Sequence, residues 1–308
     1  MTNPLPLVAL ASGPLHAVFA PTRGGRLLSL RTGDEELLWQ NPTLVDAHLR
    51  PVVPVDTWPH GDGGMDSWAN LGGSKTWPAP QGWSSADEWA GPPDPVLDSG
   101  PWAVVDHTDT AVTVRSAADP RTGLWIERAF AVTDGGLEER ITFTNTGDRT
   151  TAWAPWEVCQ VRTDDGGTVV VDGATLDDEV DLGTWEGQLT SRSGPGEVAL
   201  PVATGVAKRG YRSGRAVTYR RASGTTLALS AADEPDDGSP FPDQGARFEV
   251  WLQRPVASPI AALDGLQPDA HLAELEVLGR RKPLAPTMSR TTIVQWTIRP
   301  AETAASLR

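Results

Sequence analysis

The chain has 308 residues, a length that one large β-sandwich or barrel can occupy. Its net charge of −14 argues against nucleic acid and anionic lipid as partners, because both need a basic surface on the protein. Cys159 is the only cysteine, which excludes an intramolecular disulfide and a cysteine-based zinc cluster.

Residues 1–10 have neither the basic segment nor the apolar run of a signal peptide. No window of the sequence approaches the roughly 18 apolar residues that a membrane helix needs. The sequence therefore predicts a cytoplasmic location and no membrane partner. We also predict no cofactor, and the oligomeric state stays open.

Glycine and proline, with 31 and 27 residues, occur along the whole chain and disfavour long helices. About fifteen short segments instead alternate apolar and polar residues between turns. They include Leu124–Val132, Leu137–Thr144, Thr168–Val171, Ala216–Arg221, Thr225–Ser230, Arg247–Leu252 and Arg290–Ile298. The pattern predicts an all-β fold of two large, mostly antiparallel sheets, with residues 1–300 as one domain and 301–308 as a tail.

The stretch from Asp56 to Trp102 has little periodicity and predicts a long functional loop. An indole offers a flat apolar face and one N–H donor, which suits stacking against a pyranose ring. The alternative is that the rings only fill space beneath the loop. The stretch contains six tryptophans, namely Trp58, Trp68, Trp77, Trp83, Trp89 and Trp102, of which Trp58, Trp77 and Trp83 are predicted ligand contacts.

Within this stretch, the run Gly72–Gln81 combines two glycines with a charged and an amide side chain. The glycines allow the backbone to approach a ligand closely, and Lys75 and Gln81 supply hydrogen-bonding groups. A rigid surface turn is the alternative. We place the centre of the predicted site at Lys75, Trp77 and Gln81.

His60 is the only histidine of the stretch and a candidate general acid, although a loop histidine that bonds backbone is the simpler interpretation. Together with Asp56, Asp62 and Asp66 it could form an oxygen-rich metal site. The spacing matches no known ligand pattern, so we predict no metal.

Two arginines are candidate ligand-binding residues, because a guanidinium can hold two hydroxyls or a carboxylate at once. Arg26 follows two glycines, and Arg162 shares a strand face with Trp156 and Gln160 by alternation. A surface salt bridge is the alternative for either arginine.

The segment Pro268–Leu278 fits a short helix or a strand. We favour the strand, because the surrounding sequence is rich in β-structure. Alternation then places Glu274 and Glu276 on one face of the strand and the apolar residues on the other.

Several motifs resemble an uncharacterised bacterial family of galactose-mutarotase-like proteins in the aldose epimerase superfamily, over about residues 8–300. The most specific of them is the Gly-Gly-x-Lys-x-Trp-Pro-Ala-Pro-Gln run at 72–81. Weaker matches occur, in the same order, at Gly24–Leu30, Pro92–Pro95, Leu97–Trp102, Thr144–Asp148, Glu274–Gly279 and Leu284–Pro286. The resemblance implies a β-supersandwich whose concave face holds a sugar.

The resemblance also implies a glutamate base, here Glu274 or Glu276, and a histidine acid. The run Trp153–Gln160 stands where the histidine is implied, and Trp156 occupies its place. An indole cannot act as an acid, so the resemblance supports sugar binding better than mutarotation.

Three functions compete at this point. The first is a carbohydrate-binding protein whose ligand is a small sugar or sugar derivative. The second is an active sugar epimerase or mutarotase, an isomerase that uses Glu274 or Glu276 as its base. The third is a non-catalytic module that binds another protein through its aromatic surface.

Overall fold

The computed structural model describes residues 4–59, 65–202, 204–232 and 237–301. Within these ranges the regular structure is almost entirely β, with 21 strands in two antiparallel sheets. The all-β, two-sheet fold predicted from the sequence is confirmed. His60, Asp62 and all but the first residue of the predicted tail lie outside the described residues.

The first sheet has eleven strands, numbered in chain order through both sheets. Its strands are β1 (Val8–Ser12), β2 (Leu15–Ala20), β3 (Arg26–Thr32), β4 (Glu35–Glu36), β5 (Ser74–Ala79), β10 (Thr151–Arg162), β12 (Glu179–Gly187), β15 (Gly205–Tyr211), β18 (Phe248–Gln253), β19 (Leu272–Leu278) and β20 (Lys282–Leu284). Across the sheet the order is β1-β2-β3-β5-β10-β19-β18-β15-β12, while β4 pairs with β3 and β20 with β10.

The second sheet has ten strands in the order β13-β14-β11-β16-β17-β21-β9-β8-β7-β6. Their bounds are β6 (Ala103–His107), β7 (Ala111–Arg115), β8 (Leu124–Thr133), β9 (Gly136–Asn145), β11 (Thr168–Asp172), β13 (Arg192–Gly194), β14 (Glu197–Pro201), β16 (Ala216–Arg220), β17 (Thr226–Ala231) and β21 (Ser289–Arg299).

Helical structure is limited to single turns. They are the 3₁₀ turns Val55–Thr57, Met65–Ser67, Leu176–Asp178 and Ala261–Leu263, and one irregular turn at Pro242–Gly245. Over the described ranges, no helix is both long and apolar enough to cross a membrane.

The seven strands named from alternation are all present, and their ends differ by at most one residue. The ambiguous segment forms strand β19, which pairs with β10 and β18. Leu275 and Val277 are buried, and Glu274 and Glu276 lie on the opposite face, as predicted.

The prediction of one continuous loop from Asp56 to Trp102 is wrong at its centre. Ser74–Ala79 form strand β5, which is buried along its whole length and pairs with β10. The alternation of apolar and polar residues is absent because the inner face is polar and the outer face combines Lys75 with the apolar Trp77 and Ala79. Lys75 and Trp77 face outward, whereas Ser74 and Thr76 face a polar cluster between the sheets.

This polar cluster joins the two sheets through three fully buried charged residues. Arg128 of β8 lies 2.7 Å from Glu139 of β9 and 3.0 Å from Glu157 of β10. Ser74 and Thr76 donate hydrogen bonds to the Glu157 carboxylate. One guanidinium therefore faces two carboxylates in a site without solvent.

Burial raises the pKa of Glu157 to about 8, against the opposing attraction of Arg128. The ordinary value of this carboxyl is 4.5, so between these two values the folded chain holds a proton that the unfolded chain has released. Stability linked to this group is therefore highest at acidic pH and falls as the pH rises toward about 8.

We predict that the Glu157→Gln substitution flattens the decrease of unfolding free energy between about pH 5 and pH 8, because glutamine does not titrate. Urea denaturation at a series of pH values measures this slope. Glu127→Gln on β8, whose carboxylate is 27% exposed, serves as the control and should keep the wild-type slope. Parallel profiles for wild type and Glu157→Gln would contradict the assignment.

Candidate functional site

A cavity of about 260 Å³ lies on the outer face of the eleven-stranded sheet, turned away from the ten-stranded sheet. Polar and charged side chains, among them Gln160, Lys208, Asp243 and Glu274, share its lining with apolar residues. The aromatic part of the lining is formed by Trp68, Trp77, Trp83, Trp156, Trp185 and Trp251.

Strand register explains why residues distant in sequence meet on this face. Trp77 of β5 is paired with Trp156 of β10. On the neighbouring strands, Glu274 of β19 stands opposite Gln160 and Trp251, and Trp251 stands opposite Lys208 of β15. Directly paired residues point to the same side of a sheet, so the five central strands present one continuous polar and aromatic surface.

The tryptophans form two groups. Trp77 lies with its ring centroid 6.0 Å from that of Trp68 and 5.4 Å from that of Trp156. On the other side, the centroids of Trp185 and Trp251 are 5.3 Å apart. The spacings are typical of favourable tilted and edge-to-face contacts, which hold the rings in fixed orientations.

A buried carboxylate fixes the first group from behind. Asp98 accepts hydrogen bonds from the indole N–H groups of Trp68, at 2.9 Å, and Trp77, at 3.2 Å. Its charge is balanced by Arg26, whose Nη2 lies 2.5 Å away, and both side chains are 2% exposed. Arg26 thus supports the aromatic wall through Asp98 and does not line the cavity.

Glu274 is held in place through one of its two oxygens. Its Oε1 accepts hydrogen bonds from Lys75 Nζ at 2.9 Å and from Gln160 Nε2 at 2.6 Å. The side chain is 12% exposed, and no residue in the described ranges donates to Oε2. Lys75 itself is 1% exposed, and burial lowers its pKa against the opposing attraction of Glu274.

A second charged cluster lies at the other end of the same surface. Lys208 Nζ is 2.7 Å from Glu249 Oε2 and 3.1 Å from Glu276 Oε2, and it stands 4.3 Å from the ring centroid of Trp156. Trp156 Nε1 donates to Glu276 at 2.6 Å. Burial by itself lowers the pKa of Lys208. The attraction of the two carboxylates outweighs burial and raises the pKa above its ordinary value, so the ammonium stays charged.

Both carboxylates of this cluster are fully buried. Burial raises the pKa of Glu249 and of Glu276, against the opposing attraction of Lys208. One ammonium facing two buried carboxyls favours the protonated form of one of them.

The structure brings together five of the residues predicted for the site. Trp77, Gln81, Trp83, Trp156 and Glu274 all line the cavity. Gln81 donates its amide N–H to the backbone oxygen of Gly91, and Trp83, 49% exposed, is at the mouth. Lys75 does not line the cavity but lies directly behind Glu274, to which it donates a hydrogen bond.

Other predicted residues lie elsewhere. Trp58 is buried in a separate apolar cluster with Leu44 and Leu71. Arg162 is 62% exposed and pairs with Asp164, so it forms the surface salt bridge that was its alternative interpretation. Glu276 sits beneath the lining, bonded to Trp156.

Several lining residues escaped the sequence analysis. Trp251 lies on a strand that was predicted, on the same face as the buried Glu249, so alternation could have indicated which way it points. Lys208 stands between Ala207 and Arg209 of β15, a sequence that gives no sign of a ligand site. Trp185 lies on an irregular strand with two register shifts, where alternation gives little guidance.

For a metal, the described residues contain no group of three histidine, cysteine, aspartate or glutamate side chains placed to bind an ion. Asp56 is described, but His60 and Asp62 lie outside the described residues, as does the side chain of Asp66.

A family model described as a domain of unknown function, DUF4380, matches residues 7–192. The chain is a member of the DUF4380 family. No curated protein matches the sequence.

This DUF4380 chain shares its fold with solved structures of low sequence identity. The Slr1438 protein of Synechocystis is 11% identical with a TM-score of 0.61, and the alignment covers 98% of each chain. A galactose mutarotase-like protein of Lactobacillus casei is 15% identical with a TM-score of 0.53, covering 96% of this chain and 100% of that one. A galactose mutarotase related enzyme of Lactobacillus acidophilus is 12% identical with a TM-score of 0.52, covering 97% and 100%. The DUF4380 chain therefore has a galactose mutarotase-like fold.

We predict that Asp98→Asn lowers the free energy of unfolding by about 3 kcal/mol, because it leaves the buried Arg26 charge without its counterion. Asp46→Asn, which alters an exposed ion pair with Arg50, is the matched control and should have little effect. Urea denaturation followed by tryptophan fluorescence measures both variants. Equal small effects would contradict the supporting role of Asp98.

Proposed function

We propose that this protein binds a single sugar residue in the cavity on the outer face of the eleven-stranded sheet. The observation that carries the proposal is the lining of that cavity, where six indole rings surround a small set of placed polar groups. Small-molecule sites combine apolar walls with a few oriented polar side chains in the same way.

The two groups of tryptophans suit the shape of a pyranose. Its faces carry C–H groups that pack against an indole, and its edge carries hydroxyls that need hydrogen-bonding partners. Glu274 and Gln160 lie between Trp77 and Trp156 on one side and Trp251 on the other. A ring between these walls would place its hydroxyls over the polar groups.

The size of the cavity supports the same class of ligand. Its volume of about 260 Å³ is just below the range of roughly 300–1,000 Å³ that accommodates drug-sized molecules. One monosaccharide or one residue at the end of a larger glycan fits this description.

We predict that Trp83→Ala and Trp185→Ala each weaken sugar affinity by about 5- to 30-fold, through the loss of about 1–2 kcal/mol of aromatic packing. Both side chains are partly exposed, so their removal should leave the fold intact. Isothermal titration over a panel of neutral and charged monosaccharides gives the affinities.

Trp125→Ala is the matched control. Trp125 is also partly exposed, but it lies on β8 of the ten-stranded sheet, under Arg115. This variant should keep wild-type affinity. Failure of the folded wild-type protein to bind any sugar of the panel would refute the proposed function.

An active sugar epimerase is the second candidate, and the geometry of Glu274 favours it. Both of its described donors bind Oε1, which leaves Oε2 available to accept a proton as a base would. A partner acid is missing from the described lining, because none of the described histidines belongs to it. The raised pKa of Lys208 makes its ammonium a poor acid near neutral pH.

We therefore predict that the protein binds sugars without accelerating their anomer exchange, which NMR exchange spectroscopy on bound monosaccharides measures directly. An acceleration over buffer that disappears in Glu274→Gln and persists in Glu127→Gln would support the epimerase instead.

A further inference from the structure

The hydrogen-bond donors on the central strands of the cavity are already used within the protein. Lys75 Nζ and the indole N–H groups of Trp77, Trp156 and Trp251 all donate to carboxylate or amide oxygens. Lys208 contacts two carboxylates. A ligand group that can only accept hydrogen bonds therefore finds few free donors on this surface.

Acceptors, in contrast, are left over. Gln160 is 1% exposed and lines the cavity, and its Nε2 is committed to Glu274. Its buried Oε1 has no hydrogen-bond partner among the described residues. Glu274 Oε2 likewise receives no donor from them. Buried polar groups are almost always hydrogen-bonded, so Gln160 Oε1 indicates a ligand that donates, and Glu274 Oε2 offers such a ligand a second acceptor.

The charges around the cavity also disfavour an anionic ligand. Among the described residues, four carboxyl groups face two ammonium groups. The carboxyls belong to Asp243, Glu249, Glu274 and Glu276, and the ammonium groups to Lys75 and Lys208. Even with one proton retained on the buried pair, the surroundings of a ligand are not positive. A carboxylate or phosphate would meet repulsion without compensation.

The indole rings already hold cations on their faces. Lys75 Nζ lies 4.6 Å from the ring centroid of Trp77, and Lys208 Nζ lies 4.3 Å from that of Trp156. Within the described residues, no cation covers Trp83 or Trp185. An ammonium group is attracted to such faces by the ring quadrupole, which gives a cationic ligand a favourable place at the mouth.

We propose that the cavity selects sugars that carry a protonated amine over their uncharged, N-acetylated, uronic acid and phosphate counterparts. The inference rests on the proposed sugar-binding function and names the substrate class of that site. The amine is bound by the carboxylates of Glu274 and Asp243 and by indole faces, while hydroxyls donate to Gln160 Oε1.

The test is isothermal titration of the full chain with two matched series. One contains D-glucose, D-glucosamine, N-acetyl-D-glucosamine, D-glucuronate and glucose 6-phosphate, and the other the corresponding galactose derivatives. The amine should bind about tenfold more tightly than its parent sugar, which is the size of a desolvated cation–π and carboxylate contact. The uronate and the phosphate should bind most weakly.

Asp243→Asn should reduce the affinity for the amine several-fold more than it reduces the affinity for the parent sugar, because only the amine loses a charge partner. Asparagine tolerates the left-handed backbone at this position, where φ is 49°, so the loop should keep its shape. Asp106→Asn is the control, since Asp106 is an exposed residue of β6 in the other sheet.

The outcomes separate the inference from the function on which it rests. Parent sugars that bind as tightly as their amines, or acidic derivatives that bind most tightly, would overturn the charge selection and leave sugar binding intact. An equal loss of preference in Asp106→Asn would show general attraction to an acidic surface and would also overturn it. Failure of every member to bind the folded protein would refute the proposed function itself.

Discussion

Buried carboxylates that accept hydrogen bonds from indole N–H groups orient several tryptophans of this protein, among them three that line the cavity. Asp98 accepts hydrogen bonds from Trp68 and Trp77, and Glu276 accepts one from Trp156. Away from the cavity, Asp94 accepts a hydrogen bond from Trp89, and Glu139 accepts one from Trp296. An indole has only one polar group, so satisfying that group at a fixed point settles the direction in which the ring faces. The walls of the cavity depend on this arrangement.

These carboxylates can be buried in this role only because each is paired with a cationic side chain. Asp98 is paired with Arg26, Glu139 with Arg128, and Glu276 with Lys208. A buried charge without a partner costs several kcal/mol, so each indole anchor is also a site where loss of one partner destabilises the fold. The geometry of the cavity and the stability of the two-sheet fold are therefore linked through the same residues.

Strand β5 shows this linkage within six residues. Its inner face contributes Ser74 and Thr76 to the charged cluster between the sheets, and its outer face contributes Lys75 and Trp77 to the cavity. Such a strand has a polar inner face and an outer face that mixes Lys75 with apolar residues. Alternation of apolar and polar residues, the main sequence signal for a strand, is missing for this reason, and the segment resembles a loop in sequence.

Trp156 illustrates how one fold can serve different chemistry. The resemblance to mutarotase-like proteins implies a histidine at this position, and the indole that replaces it donates to Glu276 and stacks under Lys208. Glu276 accepts from Trp156 and pairs with Lys208 through one oxygen beneath the lining, whereas Glu274 lines the cavity itself. A shared fold does not transfer a reaction, because the reaction depends on groups such as these.

The sequence by itself determined the all-β class, most strands and the side of β19 on which Glu274 and Glu276 lie, because these features follow from composition and from a period of two along each strand. It also determined that the tryptophan-rich stretch is unusual. Only the tertiary structure decided which rings meet at the cavity. The lining contains Trp185, Trp251 and Lys208, which were not predicted, and lacks Trp58 and Arg162, which were. Lys75 and Glu274 are 199 residues apart in the chain and form one ion pair because β5, β10 and β19 are neighbours. Local alternation fixes the face of a strand, whereas the order of strands depends on non-local pairing that no single segment encodes.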